Sequence, residues 1–398
     1  MKIIPRPQYL QRLIDVINTP DIKIITGIRR SGKSKLLIAF MEYVQQNEAT
    51  ANVIHIDFNE LKNESYAEYH ALHELIESRY VQGVNNYVMI DEVQTCQGFE
   101  KAVNSLHASE KYDIYITGSN AFLMSSDLAT LFTGRTIEIE VFPFSFAEYC
   151  VYFEPSYIQG GFDEYVRIGG MAGAYPLRTE KDRYNYVKDV FRALIVRDVK
   201  QKYKIRNMLV LDKIGEFLMD NISNITSLRK VADTLNANNI KVDDKTVGKY
   251  VQYLCQAFLF YVTKRFDIQG KRYLATLEKY YLADHSFRYA ILGTKNMDYG
   301  RVYENIVALE LRRRGYDVYA GYLYKKEIDF VAMQQNEKLY IQVSDDISSP
   351  NTFAREVTSL LKIKHAYPKL LIARTRHDEY DHEGVRIIDL ADWLINHK

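Results

Sequence analysis

The chain has 398 residues, which is enough for two or three domains. Its 47% hydrophobic and 26% charged residues are ordinary for a globular protein, and no apolar run reaches membrane-spanning length. The net charge of +1 excludes a general electrostatic attraction to nucleic acid, so any such contact requires a local basic patch. The N-terminal segment does not resemble a signal peptide, and Cys96, Cys150 and Cys255 lack metal-binding spacing. We therefore expect reduced thiols in a cytoplasmic protein without a membrane partner.

The first predicted elements are a short apolar strand, a glycine-containing loop and a helix that starts near Lys35. The run 22–34 reads IKIITGIRRSGKS and contains the phosphate-binding pattern G-x-x-x-x-G-K-[ST] between Gly27 and Ser34. Its glycines allow the backbone to curl its N–H groups towards one point, and the helix N-terminus adds partial positive charge there. A chance glycine-rich turn is the alternative, but the flanking strand and helix disfavour it.

Individual roles follow from this loop. Lys33 is predicted to reach the β- and γ-phosphates of a nucleotide, and the Ser34 hydroxyl to bind Mg²⁺. Side chains of Arg29 and Arg30 should point outwards, with only one of them contacting phosphate or base. The predicted nucleotide-binding residues of the segment are Gly27, Arg30, Ser31, Gly32, Lys33, Ser34 and Lys35.

Apolar runs then alternate with helical stretches over the rest of the first third. Strands are predicted at residues 53–58, 87–92 and 114–120, separated by helices at 35–46, 66–80 and 98–109. Near-continuous apolar strands between helices indicate an α/β fold with a parallel sheet covered on both faces. Because such sheets bind ligands at the carboxyl ends of their strands, the polar residues there are the candidate site residues.

Asp91 and Glu92 follow the apolar run at 87–90. In combination with the phosphate-binding loop, Asp91 is predicted to hold the hydration shell of Mg²⁺ and Glu92 to act as a general base towards water. Taken alone, an Asp-Glu pair at a strand end more often caps the next helix. The loop upstream favours the functional interpretation.

Three further candidate residues follow in the sequence. Ser119 and Asn120, after the next strand, could sense the γ-phosphate, although Gly-Ser-Asn is also good turn chemistry. Arg135, in the segment LFTGR, could be an arginine finger that reaches the γ-phosphate of a neighbouring subunit, which implies a homo-oligomer. A surface ion pair is an equally good interpretation of this arginine.

The segments GIRRSGKS, VMIDEVQ, YITGSNAFLM, FTGR and VFPFSFAEY together resemble a known family. Residues 1–150 are similar to the AAA-type P-loop ATPase domain of a large prokaryotic family near the archaeal-type, STAND-like branch. Its members carry a C-terminal domain of unknown function. The resemblance implies ATP binding and hydrolysis with Mg²⁺, and it implies little about the biological role.

Residues 151–205 are helix-rich and are predicted to form a lid or linker on the ATPase domain. Residues 206–275 show three helices and a hairpin, the outline of a winged helix. Lys245 and Lys249 on its third helix, with Lys264 and Lys271 near the hairpin turn, could neutralise DNA phosphates. The pair Asp243-Asp244 at the start of that helix would repel phosphates, so docking to a protein remains the alternative.

Residues 276–398 form a predicted small α/β domain that resembles the PD-(D/E)XK nuclease fold. In that family a helix glutamate, a strand aspartate and an E-x-K pair hold Mg²⁺ and activate a water, and Glu304 and Asp329 match the first two positions. The last two are occupied by Gln342 and Ser344, a weaker ligand and a neutral side chain. We therefore predict a nuclease-like domain without strong nuclease activity, in which Glu304 and Asp329 serve the fold.

The favoured hypothesis is an ATPase whose nucleotide state is coupled to its winged-helix and nuclease-like modules, with DNA as the expected partner. A nucleotide-gated protein-interaction switch is the first alternative. An active Mg²⁺-dependent nuclease is the second.

Overall fold

The computed structural model of the protein describes residues 4–118, 132, 134–295, 297–324 and 326–396. These form two compact units, each assembled from separate segments of the chain. The first comprises Met1–Pro143, Ala193–Lys204 and Gln256–Phe258. The second comprises Phe144–Arg192, Ile205–Cys255 and Leu259–Lys398.

The first unit has a five-stranded sheet with helices on both faces. Its elements in chain order are α1 (Pro7–Ile14), β1 (Ile22–Thr26), α2 (Lys33–Asn47), β2 (Asn52–Asp57), α3 (Tyr69–Ser78), β3 (Asn86–Asp91), α4 (Phe99–Ala108), β4 (Asp113–Thr117) and β5 (Thr136–Glu140). Short 3₁₀-helices cover Leu61–Tyr66 and Val93–Thr95, and a π-helix covers Leu194–Gln201.

All strand pairs of this sheet are parallel, in the order β2-β3-β4-β1-β5. Alternate residues enter two apolar cores: Ile24 and Ile90 pack on one face, and Ile25 and Met89 on the other. Because both faces are covered, the strands are buried throughout and their sequences are almost continuously apolar. The predicted α/β class with a parallel sheet is confirmed.

The helix predicted at 66–80 is shorter and is preceded by a separate turn of 3₁₀-helix. Glu68 has extended backbone angles, and its carboxylate accepts a hydrogen bond from the N–H of His70. A side chain that satisfies a free N–H at this position starts a new helix at Tyr69. Apolar periodicity alone did not show this break.

A buried ion pair lies within the otherwise apolar sheet. The ammonium of Lys23 on β1 lies 2.5 Å from a carboxylate oxygen of Asp113 on β4, and Lys23 is fully buried. The second oxygen of Asp113 accepts hydrogen bonds from the N–H of Asn18 and the hydroxyl of Tyr115. The charges are therefore paired and hydrogen-bonded, as burial requires.

Among the described residues, the second unit contains ten α-helices, labelled α5–α14, together with the second sheet. Its elements in chain order are α5 (Phe146–Phe153), α6 (Ile158–Ile168), α7 (Glu180–Ala193), α8 (Met208–Asp220), α9 (Leu228–Ala237), α10 (Asp244–Gln256), β6 (Phe260–Asp267), β7 (Arg272–Leu282), α11 (Ser286–Leu292), α12 (Tyr299–Arg313), β8 (Asp317–Leu323), β9 (Lys326–Gln334), β10 (Glu337–Ser344), α13 (Pro350–Leu361), β11 (Lys369–Ala373), β12 (Tyr380–His382), β13 (Val385–Asp389) and α14 (Leu390–Asn396). The chain passes between the two units at the end of α7.

The hairpin β6–β7 belongs to the same sheet as the C-terminal strands. That sheet has eight strands in the order β12-β13-β11-β10-β9-β8-β6-β7, and β6 pairs in parallel with β8 from Arg265 to Asp267. The domain boundary predicted between residues 275 and 276 lies inside β7. The hairpin is not separate from the C-terminal strands, because the outer edge of β6 pairs with β8. A hairpin joined to a larger sheet has the same local sequence pattern as a free wing.

Across the described residues, no helix is both long enough and apolar enough to cross a membrane.

Candidate functional site

The loop between β1 and α2 has a backbone that only glycine can adopt at two points. Gly27 has φ of 129°, and a Cβ atom there would lie 2.2 Å from the carbonyl oxygen of Val141. Gly32 has φ of 103° and directly precedes the first residue of α2. The loop therefore bends sharply at both ends, which places its centre beside the N-terminus of α2.

Lys33, the first residue of α2, folds its side chain back into the loop. Its ammonium donates hydrogen bonds to the carbonyl oxygens of Gly27 at 2.9 Å and Ile28 at 3.1 Å. Burial lowers the pKa of Lys33, while the negative charges of Glu92, Asp198 and Asp91 oppose this effect. The site thus holds a buried cation within reach of three acidic side chains.

Ser31 contributes a buried hydroxyl that lacks a hydrogen-bond partner among the described residues. Its carbonyl oxygen accepts a hydrogen bond from Arg6 at 3.0 Å, and the other terminal nitrogen of Arg6 donates to the carbonyl of Phe142 at 2.9 Å. Arg6, which the sequence did not indicate, therefore ties the loop to the chain after β5. The orphaned hydroxyl is a donor that fits a phosphate oxygen in the loop.

The other predicted loop residues lie at or near the surface. Ser34 is partly exposed in the first turn of α2, and Lys35 is exposed one residue later. Arg30 is exposed and adopts a left-handed backbone with φ of 64°. The roles of these residues in nucleotide and metal binding stay predictions.

Asp91 and Glu92 are joined by a residue that the sequence did not single out. The hydroxyl of Thr117, at the end of β4, donates to the carboxylate of buried Asp91. The N–H of Glu92 donates to the same hydroxyl oxygen at 3.3 Å, and the Glu92 carboxylate accepts from the side chain of Gln94. A polar residue ending an apolar strand was the available signal for Thr117.

Asp198 is a second residue of the site that sequence inspection missed. It lies on the π-helix Leu194–Gln201, a rare helix type often found at functional sites, and its carboxylate lies 3.4 Å from a guanidinium nitrogen of Arg29. Burial raises the pKa of Asp198 to about 6, although the charges of Arg29 and Lys33 act in the opposite direction. Asp198 lies 169 residues after Arg29 in the chain, so a local sequence motif cannot include it.

Arg135 lies at the amino-terminal ends of β1 and β5, whereas the phosphate-binding loop follows the carboxyl end of β1. Arg135 is exposed and directly precedes β5, whose first residue, Thr136, pairs with Ile22 at the start of β1. The phosphate-binding loop follows the other end of β1, about 13 Å away along the strand. Arg135 therefore cannot serve the site of its own chain, and a finger role requires a second copy. Ser119 and Asn120 lie outside the described residues.

In the second unit, the predicted acidic residues Glu304 and Asp329 come together, with a lysine between them. The ammonium of Lys279 on β7 lies 2.7 Å from an oxygen of Glu304 and 3.8 Å from an oxygen of Asp329. It also pairs with the carboxylate of Glu327. Lys279 was not predicted, and its place in an apolar strand sequence was the only signal.

Gln342 and Ser344 lie on β10 near this cluster. The side-chain oxygen of Gln342 accepts a weak hydrogen bond from the N–H of Asp329 at 3.4 Å, and the Ser344 hydroxyl donates to the carbonyl of Asp346 at 3.1 Å. Both side chains therefore stabilise local backbone. Within the described ranges, no group of three or more His, Cys, Asp or Glu residues is arranged to hold a metal ion.

Comparison with known proteins gives a family for the chain. A family model described as an AAA domain matches residues 19–150, and a model described as a domain of unknown function matches residues 159–298. An uncharacterized protein of Haemophilus influenzae is 36% identical over 399 residues and covers 99% of both chains. An uncharacterized protein of Methanocaldococcus jannaschii is 26% identical over 98% of this chain and 90% of its own.

Solved structures give weaker likenesses. AMPPCP-bound DnaA from Aquifex aeolicus is 17% identical, with 63% of this chain and 86% of that chain covered and a TM-score of 0.32. Cdc6p from Pyrobaculum aerophilum is 13% identical, with 78% and 96% covered and a TM-score of 0.32.

Proposed function

We infer that this chain binds and hydrolyses ATP. It belongs to the same family as the Haemophilus influenzae protein, and its N-terminal part is an AAA domain. The observation that carries this proposal is the buried Lys33 ammonium inside the glycine loop, near the acidic pair Asp91 and Glu92. A buried cation, an unpartnered hydroxyl on Ser31 and a helix N-terminus are together suited to a polyphosphate.

Each residue of the loop has a separate task in the proposed reaction. Lys33 releases the carbonyls of Gly27 and Ile28 and donates to phosphate oxygens, which stabilises charge that develops on them. The hydroxyl of Ser31 and the N–H groups of the loop orient the phosphates. Ser34 and Asp91 would hold Mg²⁺, and the bound ion would supply further positive charge to the phosphates.

Glu92 is the proposed general base. Its left-handed backbone, with φ of 53°, turns it away from the direction of β3, and the hydroxyl oxygen of Thr117 accepts from its N–H. An observed backbone strain of this kind often accompanies a functional side chain. Gln94 donates to its carboxylate and so restricts its orientation before water is deprotonated.

The π-helix supports a coupling between nucleotide binding and the rest of the chain. Asp198 contributes a carboxylate beside Arg29, and the chain enters the first unit only a few residues earlier, at Ala193. Phosphates that bind the loop would compete with Asp198 for Arg29 and Lys33. We propose that release of Asp198 alters this segment and so transmits the nucleotide state along the chain.

Steady-state ATP turnover tests the enzyme activity. Lys33→Ala and Glu92→Gln should each lower turnover at least about a hundredfold. Glu92→Gln should still bind ATP, because its change removes a base and leaves the loop intact. Lys62→Ala and Glu60→Gln alter exposed residues and are matched controls. Turnover of the wild type that is no faster than that of the two site variants rejects an ATPase.

DNA is the proposed partner of the second unit. Lys245 and Lys249 on α10 and Lys264 and Lys271 around the hairpin are exposed cations in one stretch of chain. DNA affinity should fall steeply with salt if several of them neutralise phosphates, and it should respond to ATP.

A nucleotide-gated protein-interaction switch is favoured by one observation. Asp243 accepts a hydrogen bond from the N–H of Thr246 at 2.7 Å, and the hydrogen bonds of that turn lower the pKa of Asp243. A permanent negative charge therefore lies at the N-terminus of α10, where the helix dipole would otherwise attract a phosphate. Weak DNA binding with a shallow salt dependence and no response to ATP would support the switch.

A further inference from the structure

The acidic cluster of the second unit has a cation built into it. Lys279 on β7 directs its ammonium between Glu304 on α12 and Asp329 on β9, with Nζ–O distances of 2.7 Å and 3.8 Å. Glu327, also on β9, is a third carboxylate bonded to the same ammonium. Carboxylates from α12 and β9 thus surround one nitrogen atom from β7.

Burial and charge make this arrangement selective for a cation. The side chain of Lys279 is 1% exposed, and those of Glu304 and Asp329 are each 11% exposed. Burial alone would lower the pKa of Lys279, but the nearby carboxylates outweigh it and raise that pKa above its ordinary value. The ammonium therefore stays charged, and the carboxylates require it for compensation.

The oxygen atoms are already committed to donors of the protein. The Glu304 oxygen that binds Lys279 also accepts from the hydroxyl of Tyr281 at 2.7 Å. One oxygen of Asp329 accepts from the N–H of Val343 at 2.8 Å, and the other faces Lys279. A divalent cation needs several oxygen ligands at roughly 2.0–2.6 Å around a vacant centre, and the ammonium lies in that centre. The residues present therefore do not fit the Mg²⁺ that the nuclease resemblance implies.

We propose that the Lys279 ammonium permanently takes the place of the divalent cation in this nuclease-like unit, so that the cluster neither binds a metal nor cuts DNA. The proposal concerns the second unit and does not depend on ATP hydrolysis. It also predicts a gain of function: removal of the ammonium leaves Glu304, Glu327 and Asp329 around a space that a divalent cation can fill.

The test uses the full chain and Mn²⁺ without nucleotide. Lys279→Met, which keeps an unbranched side chain one atom shorter and removes the charge, should be less stable than the wild type in metal-free buffer. Added Mn²⁺ should raise its Tm by several degrees and should be taken up as about one extra ion per chain, because ligand binding to the folded state stabilises it. Lys362→Met changes an exposed lysine of the same unit and should show neither effect. The double variant Lys279→Met/Asp329→Asn should lose the response.

Two results would overturn the proposal. The first is a Lys279→Met protein that Mn²⁺ does not rescue, including one that fails to fold with or without the ion. The second comes from a comparison that needs no Lys279 variant. The proposal expects the wild type and Asp329→Asn to take up equal amounts of Mn²⁺, so a difference between them overturns it. A larger uptake by the wild type shows that the carboxylates already bind metal beside Lys279.

Discussion

The carboxylate of Asp198 lies 3.4 Å from the guanidinium of Arg29, so an acid from the π-helix Leu194–Gln201 reaches the phosphate-binding loop. The Asp198 side chain is mostly buried, and its charge also acts on Lys33. A negative charge beside the two loop cations reduces their attraction for phosphate. This relationship gives the first two predictions.

Asp198→Asn should increase the affinity for ADP and ATP by about three- to tenfold, because the variant no longer competes with phosphate for Arg29. Titration of a fluorescent nucleotide measures the Kd. Asp189→Asn changes an exposed aspartate on α7 and should leave the Kd unaltered. A Kd for Asp198→Asn that equals or exceeds the wild-type value would show that this acid does not oppose nucleotide binding.

The effect of Asp198 should also depend on pH. Burial raises the pKa of Asp198 to about 6, so the carboxyl becomes neutral as the pH falls through that value. The competing charge then disappears from the wild type, whereas Asp198→Asn has none to lose. The ratio of the two Kd values should therefore approach one between about pH 7 and pH 5. A ratio that stays constant across this range contradicts the assignment.

Thr117→Val should separate binding from hydrolysis. The variant keeps the shape of the side chain but removes the hydroxyl that bonds to Asp91 and to the N–H of Glu92. We expect turnover to fall at least about tenfold with little change in nucleotide affinity, since the loop is untouched. Thr136→Val, on an exposed strand residue, is the control. An unchanged kcat would show that the Thr117 hydroxyl does not contribute to ATP hydrolysis.

Arg135 should act only between copies of the chain. Arg135→Ala is expected to bind ATP normally but to hydrolyse it at least about a hundredfold more slowly, as loss of an arginine finger does. A mixture of Arg135→Ala with Lys33→Ala should regain activity, because each copy supplies what the other lacks. Arg178→Ala is an exposed control. Activity that is independent of protein concentration and of mixing would assign Arg135 to the surface.

Lys23 should be important for stability. Lys23→Met leaves the buried carboxylate of Asp113 without its ion-pair partner, and breaking such a pair costs about 3–5 kcal/mol in the free energy of unfolding. Chemical denaturation measures this loss. Lys111→Met removes a lysine whose pair with Glu77 is exposed, and it should cost about 1 kcal/mol or less. Equal losses in the two variants would mean that the buried pair contributes no more to the free energy of unfolding than the exposed pair.

Much of the first unit could be predicted because its signals are local. Glycines at 27 and 32, the Lys33-Ser34 pair and the apolar runs before Asp91 each lie within a few residues of one another. Local spacing fixes backbone curvature and hydrophobic period, and these are the properties that select a parallel sheet and a phosphate-binding loop. The α/β class predicted on this basis was confirmed by the structure, while the individual site residues stay predictions.

The sequence by itself determined the sheet, the loop and the acidic strand end, because each depends on neighbours in the chain. Only the tertiary structure brought Asp198 to Arg29, Thr117 to Asp91 and Lys279 between Glu304 and Asp329. Such contacts join residues far apart in the chain, and burial then decides their charge states through desolvation and pairing. The energies that set these charges arise from the packed surroundings of each side chain, which no local pattern of residues encodes.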